Sequence, residues 1–505
     1  MKRRWKIIAI IVVAALALSP FALHYFAKWR LAAYRAELTR QGEKLESVQF
    51  APVANTNSRA NGAELIKASN AIGGKISELS PSLMRIVAPG KARVAVLQPE
   101  LIEEVDPAYV PEVGSKRTNV NIWPLLESEV ERIKITIEDL RHAVSGPLQF
   151  PIPYALGIEV FPSHIISIKQ GSQALKAAFA SDIRANRTTE AMADAVAQVR
   201  IVANWKEEPI LISQLVRDAC ASIAFNTTWE AVQCRKLDSE QLRALQSEWE
   251  RVDFLSDAIL AMRYERALAN QMIALARTDV SKCILSIPGS GPTNFGSLVE
   301  HTLSEPSDGL NEMLNRYPRF WVWRWVGSYY TELDMLKEDG QVIAALQAAS
   351  RREGNSIRLD VGDSDWLFGN QYPWESTNNP ALWRSASRAI RCQAEASLTI
   401  AAIGLERYRL EHNDYPATLK ELVPEFLQRV PTDWQDGHEI HYRRVSGTAY
   451  ILYSIGDNHV DDGGDSTPLT GDTPRLYGGK DLVWPQPASE DEIKAFEEKN
   501  RRGKS

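Results

Sequence analysis

Between Ala63 and about Ala349 apolar residues recur at the spacing of one helical face, and no other property of the chain restricts its fold as strongly. The pattern is clearest from Ser167 to Trp249. Leu175, Ala178, Phe179 and Ile183 make one stripe, Ala191, Ala195, Val199 and Val202 make a second, and the polar turn Arg184-Ala-Asn-Arg187 separates them. Ile212, Leu215, Val216, Cys220 and Ile223 supply a third. Two amphipathic helices joined by so short a turn cannot bury both stripes alone, so further helices must stack on them. The expected fold class is therefore mainly α.

Two arrangements satisfy that requirement. Successive hairpins would resemble helical repeats of the tetratricopeptide type, although no clean period of about 34 residues is present. An irregular helical bundle buries the same stripes. Three stretches interrupt the helices: Gly146 to Pro162, Ile287 to Gly296, and Leu359 to Pro380. The last is the best boundary, because pattern and composition change there together. The expected layout is an N-terminal transmembrane anchor over 1–27, a juxtamembrane helix and linker over 28–62, and a helical domain over 63–358. A linker over 359–380, an α+β domain over 381–487 and a charged tail over 488–505 complete it.

At the N-terminus Lys2, Arg3, Arg4 and Lys6 precede Ile7-Ile-Ala-Ile-Ile-Val-Val-Ala-Ala-Leu-Ala-Leu, and apolar character continues to about Phe26. At about 1.5 Å per helical residue such a run just crosses a hydrocarbon core of roughly 30 Å. A cleaved signal peptide competes with this reading, since Ala15-Leu16-Ala17 offers a small-x-small site, but a cut there leaves a very short apolar region. The expectation is an uncleaved, single-pass anchor in the inner membrane, its N-terminus held in the cytoplasm by the leading cations. Lys28, Arg30 and Arg35 follow the apolar run and oppose that bias. Under either reading the bulk of the chain is exported to the periplasmic or extracytoplasmic side.

The formal net charge of -6 gives no general case for nucleic-acid binding. Cys220, Cys234, Cys283 and Cys392 show no CxxC spacing, which excludes the usual structural zinc pattern. Export would permit a Cys220–Cys234 disulfide; buried thiols are the alternative. HExxH, G-x-S-x-G, the P-loop and the Rossmann fingerprint are all absent. Phe320-Trp-Val-Trp-Arg-Trp325, with Tyr329 and Tyr330, is either an exposed aromatic surface or a buried core helix.

The C-terminal fifth carries the most specific order of motifs. A helix-like run over 381–410, with Ile390, Ala394, Leu398, Ala401 and Leu405 near one face, stops before Pro416. Pro431-Thr-Asp-Trp434 reads as a turn, and His438–Arg444 and Ala449–Ser454 alternate like a β-hairpin around Ser446-Gly447. His438 and His441 are three apart; on a strand they would point to opposite faces, against a shared metal site. Then follow Ser454-Ile-Gly456, Asp457-Asn458, Asp462-Gly-Gly464 and Lys480-Asp-Leu-Val-Trp484.

That order resembles the globular domain of the major pseudopilin of type II secretion systems. The resemblance implies an α+β module in which an aspartate loop binds calcium, here through Asp457, Asp461, Asp462, Asp465 and Asp481. Asp472 lies in the same loop. Calcium takes six to eight oxygens, and a Gly-containing loop of carboxylates supplies them; a solvated acidic loop without metal is the other reading. The helix over 381–410 is internal and contains Arg384, Arg388, Arg391 and Glu395, so it cannot serve as a pseudopilin's membrane helix. The module is expected to be a soluble part of a larger membrane-anchored bacterial envelope protein with a binding or assembly role and envelope protein partners. An exported hydrolase with a motif-less site in the helical domain is the alternative, and a pocket holding a buried carboxylate or His pair would favour it.

Overall fold

The computed structural model describes residues 2–108, 110, 116–278, 323–353, 380–469, 476 and 479–503, with side chains from 18 to 499 apart from Ile158 and Pro380. Cys283, the Gly289-Ser-Gly-Pro292 stretch, Trp321, most of the 359–380 linker and Asp472 lie outside that description.

The helical expectation holds for most of the body. Its helices are α1 (Lys2–Arg40), α2 (Thr56–Ala71), α3 (Gly74–Leu79), α4 (Trp123–Arg132), α5 (Lys134–Ala143), α6 (His164–Arg184) and α7 (Thr188–Asn204). After them come α8 (Leu211–Gln233), α9 (Ser239–Trp249), α10 (Phe254–Thr278) and α11 (Ser328–Ser350). The two expected stripes of α6 and α7 are buried throughout. Between these helices Asn186 adopts φ 62°, and Arg187 donates from Nε and Nη2 to Asp182 Oδ1 at 2.9 and 2.6 Å, which locks the turn. Helix α6 is packed by α2, α3, α4, α5, α7 and α8, so it forms the centre of a bundle.

Two parts of the body differ from the sequence reading. Residues 85–121 hold short strands: β1 (Arg85–Ala88) pairs with β2 (Lys91–Arg93), and β3 (Ile102–Val105) with β4 (Thr118–Asn121), both antiparallel. These strands are too short and too charged to display a period of two. Helix α8 is where expected, but its buried face is polar: Ser213, Gln214, Arg217 and Asp218 are covered while Ile212 is exposed. Arg217 explains the inversion. Its guanidinium meets Asp257 at 2.9 Å, donates from Nε to the Val202 carbonyl at 2.9 Å and lies over the Phe254 ring, so the buried charge is paired, although Nη2 has no hydrogen-bond partner. Cys220, Cys234 and Cys392 are buried free thiols, and no Cys220–Cys234 disulfide is formed.

The long helix α12 (Pro380–His412) packs on α8, α9, α10 and α11 with one side and on the C-terminal sheet with another. All five residues of its expected apolar face are buried. His412 closes the helix with Nδ1 3.0 Å from the Tyr408 carbonyl. The expected hairpin forms as β5 (His441–Ser446) and β6 (Ala449–Ser454), and β7 (Leu482–Val483) adds antiparallel to β6, giving the order β5-β6-β7. This is the α+β arrangement.

The chain then leaves that sheet. Strand β8 (Gln486–Pro487) pairs parallel with β2 in the body, Trp229 Nε1 donates to the Pro485 carbonyl at 2.9 Å, and the buried Trp484 meets Phe225 edge-on with centroids 5.5 Å apart. A final helix, α13 (Glu490–Gly503), is tied back by Lys91–Glu492. Helical body and C-terminal module therefore share one hydrophobic core.

Helix α1 runs unbroken through Pro20 and ends at Arg40, inside the stretch expected to hold a juxtamembrane helix and linker. Its second half docks on α11: Leu31 and Leu38 cluster with Leu333 and Leu336, and Arg35 and Arg277 both pair with the fully buried Glu332. Trp323 is buried with Nε1 bonded to Thr331 Oγ1, whereas Trp325 is part-exposed and packs on Phe21 and His24. Among the described residues, no helix is long and apolar enough to cross a membrane.

Candidate functional site

The five aspartates assigned from the sequence lie around one loop, and each carboxylate already has partners. Asp481, almost wholly buried, is the hub: Oδ2 accepts from the Gly464 and Asp465 amides at 2.7 and 3.1 Å, and Oδ1 from the Asp462 amide at 3.4 Å. Desolvation pushes its carboxyl above the usual range against those bonds. Gly463 and Gly464 take φ of 74° and 85°, as the expected turn requires, and a Cβ on Gly464 would sit 2.7 Å from Ile451 Cγ2.

The other four carboxylates are drawn outward. Asp465 is bonded by Thr467 and by Lys480 Nζ at 2.9 Å, which hold its carboxyl down to about 2. Asp462 accepts from Asn458 Nδ2 at 2.8 Å. Asp461 accepts from the Gly463 amide and the Tyr453 hydroxyl, both at 2.9 Å, and the amide above all lowers its carboxyl. Asp457 pairs with Arg391 of α12 and accepts from Gln435 Nε2 at 3.3 Å. Only Asp457 and Asp481 line a common niche, of about 10 Å³, and Arg391 lines it too. A guanidinium thus stands where a cation would enter, and calcium at that niche would have to displace it.

The denser set of ligand atoms lies one turn away, in residues that the loop motif does not include. Asp433 has no side-chain exposure; its Oδ1 accepts from Ser454 Oγ at 2.7 Å and the Gln435 amide at 3.0 Å, and its Oδ2 from the Ile455 amide at 2.9 Å. Burial pushes its carboxyl up, opposed by those bonds. Asp433, Asp436 and His441 each bring a ligand atom within 4.8 Å of the others. No protein family, curated protein or solved structure matches this chain. The geometry of the sites is therefore what bears on their chemistry.

His438 overturns the expectation that it and His441 face apart. Strand β5 begins only at His441, so the alternation of a strand does not apply across the pair. Both imidazoles reach the same oxygen: His438 Nδ1 and His441 Nε2 each lie 3.4 Å from Asp436 Oδ2. The signal was present as Asp433-x-x-Asp436-x-His438-x-x-His441, a spacing of ligand residues compact enough for one turn.

A second polar constellation lies in the helical body. His164 Nε2 is 3.2 Å from Glu208 Oε2, to which Trp205 Nε1 also donates at 2.8 Å, and both members of the pair are buried. Phe150 stacks on the imidazole at 4.2 Å. The other oxygen, Glu208 Oε1, is buried and has no hydrogen-bond partner. Glu208 lines a cleft of about 440 Å³ together with Tyr154, Gln149, Asn204, Lys206 and Arg251. Sequence reasoning had no route to this pair, because His164 and Glu208 belong to no short motif.

Proposed function

We propose that this chain is an envelope protein held in the inner membrane by α1, with its body and pseudopilin-like module outside the cytoplasm in a binding or assembly role. One observation carries the reading. Around and ahead of its dock on α11, helix α1 leaves Leu18, Phe21, Leu23, Tyr25, Phe26 and Trp29 each at least half exposed. Large apolar side chains on several faces of a projecting helix suit lipid, and Tyr25 and Trp29 suit the headgroup level. In sequence they continue the apolar run that begins at Ile7. The pairing of the buried Glu332 with Arg277 and with the half-exposed Arg35 supports the reading from the other end, since it fixes the helix to the body. Alkaline carbonate extraction tests it: an anchored chain stays with the lipid pellet, and a peripheral one is released.

The exported-hydrolase reading is favoured by Glu208, which lines the cleft and is paired behind it with the buried His164. A carboxylate with one oxygen fixed by Trp205 and the other unpaired can accept a proton from a bound nucleophile. Glu208→Gln should abolish any turnover of chromogenic ester or glycoside substrates by the purified chain. Turnover unchanged by that substitution would remove the pair from catalysis.

A further inference from the structure

We infer that Asp433, Asp436 and His441 form a site for a divalent ion of the zinc type, distinct from the aspartate loop. The chemistry of the donors selects the ion. Calcium takes six to eight oxygens, whereas an imidazole nitrogen with two carboxylates is a usual donor set for zinc. With zinc–ligand bonds of about 2.0–2.1 Å, donors at the corners of a tetrahedron lie about 3.3 Å apart. His441 Nε2 stands 3.4 Å from Asp436 Oδ2 and 4.0 Å from Asp433 Oδ2, so small side-chain movements close the site.

A second, independent feature points to a metal. A ligating histidine commonly donates its other ring N–H to a carboxylate, which fixes the tautomer and turns the ring toward the ion. His441 is placed for that arrangement without yet making the bond: Nδ1 lies 3.7 Å from Asp461 Oδ2, while Nε2 faces Asp436. Asp461 is itself held by Tyr453 Oη, and the Tyr453 ring stacks on His441 at 4.9 Å and 19°. Asp461, assigned from the loop as a direct ligand, becomes a positioning residue. His438 Nδ1, 3.4 Å from Asp436 Oδ2 on an exposed ring, borders the cluster without belonging to it.

The inference does not depend on membrane anchoring. Calorimetric titration of zinc chloride into the chelator-stripped, detergent-solubilised full chain should show one ion per chain. Binding should fall at least about 100-fold in Asp436→Asn and His441→Gln, about 10- to 100-fold in Asp461→Asn, and not at all in Asp465→Asn. Millimolar calcium should not compete. X-ray absorption on the zinc-loaded, unsubstituted chain gives a readout independent of any variant's folding, with imidazole scattering expected in a shell of nitrogen and oxygen donors. No zinc binding, binding that survives both ligand substitutions, or a shell without imidazole would overturn the site.

Discussion

At the scale of single residues, the chain buries ionisable groups and satisfies them unequally. Glu395 on α12 is the least satisfied case. Its side chain is buried and its Oε1 has no hydrogen-bond partner, and desolvation pushes its carboxyl up from 4.5 to about 8, opposed by Arg391 and Arg388. Between those two values the unfolded chain has released this proton and the native chain retains it. Native stability therefore falls as pH rises from about 4.5 to about 8, a loss on the order of a few kcal/mol. Glu395→Gln should remove that contribution. Chemical denaturation should find the variant more stable than the parent at pH 8.5, with the difference shrinking toward pH 4.5. A difference constant with pH would place the effect elsewhere. Glu230 shows the other solution, a buried carboxylate accepting from the Met84 and Ala95 amides at 2.9 Å each, and so pinning the first sheet to α8.

At the scale of elements, legibility followed whether the burying partner was local. The stripes of α6 and α7 and the apolar face of α12 were readable because a period of 3.6 is written in adjacent turns. The hairpin was readable because Ser446-Gly447 lies between two alternating runs. Helix α8 was readable as a helix but its polar buried face was not, since Arg217 is buried by Asp257 forty positions along the chain and by a carbonyl, and neither leaves a trace in local hydropathy. The same limit hid the candidate site. His438 and His441 looked opposed until the start of β5 was known, and Asp433 looked like a turn residue. Strand β8 adds a further non-local element, because its pairing with β2 ties the C-terminal module to the body. Trp484→Ala, just before it, should cost about 3–5 kcal/mol by opening a cavity against Phe225. Urea melts followed by far-UV dichroism should stay single and move to lower denaturant. A near-neutral midpoint would mean that the indole is not part of the shared core.

At the scale of the whole molecule, the body and the sheet of the C-terminal module share one core and α1 docks on α11, while α1 between Leu18 and Trp29 keeps large apolar side chains exposed. A helix fixed to the body in this way is suited to holding it close to a surface. The metal turn and the His164–Glu208 cleft would then be presented outside the cytoplasm. Tethering through α1 is the central claim, and carbonate extraction tests it most directly when the full chain is compared with a variant lacking residues 2–27. The full chain should remain in the membrane pellet and the truncated chain should appear, folded, in the supernatant. Release of the full chain by carbonate would contradict the account.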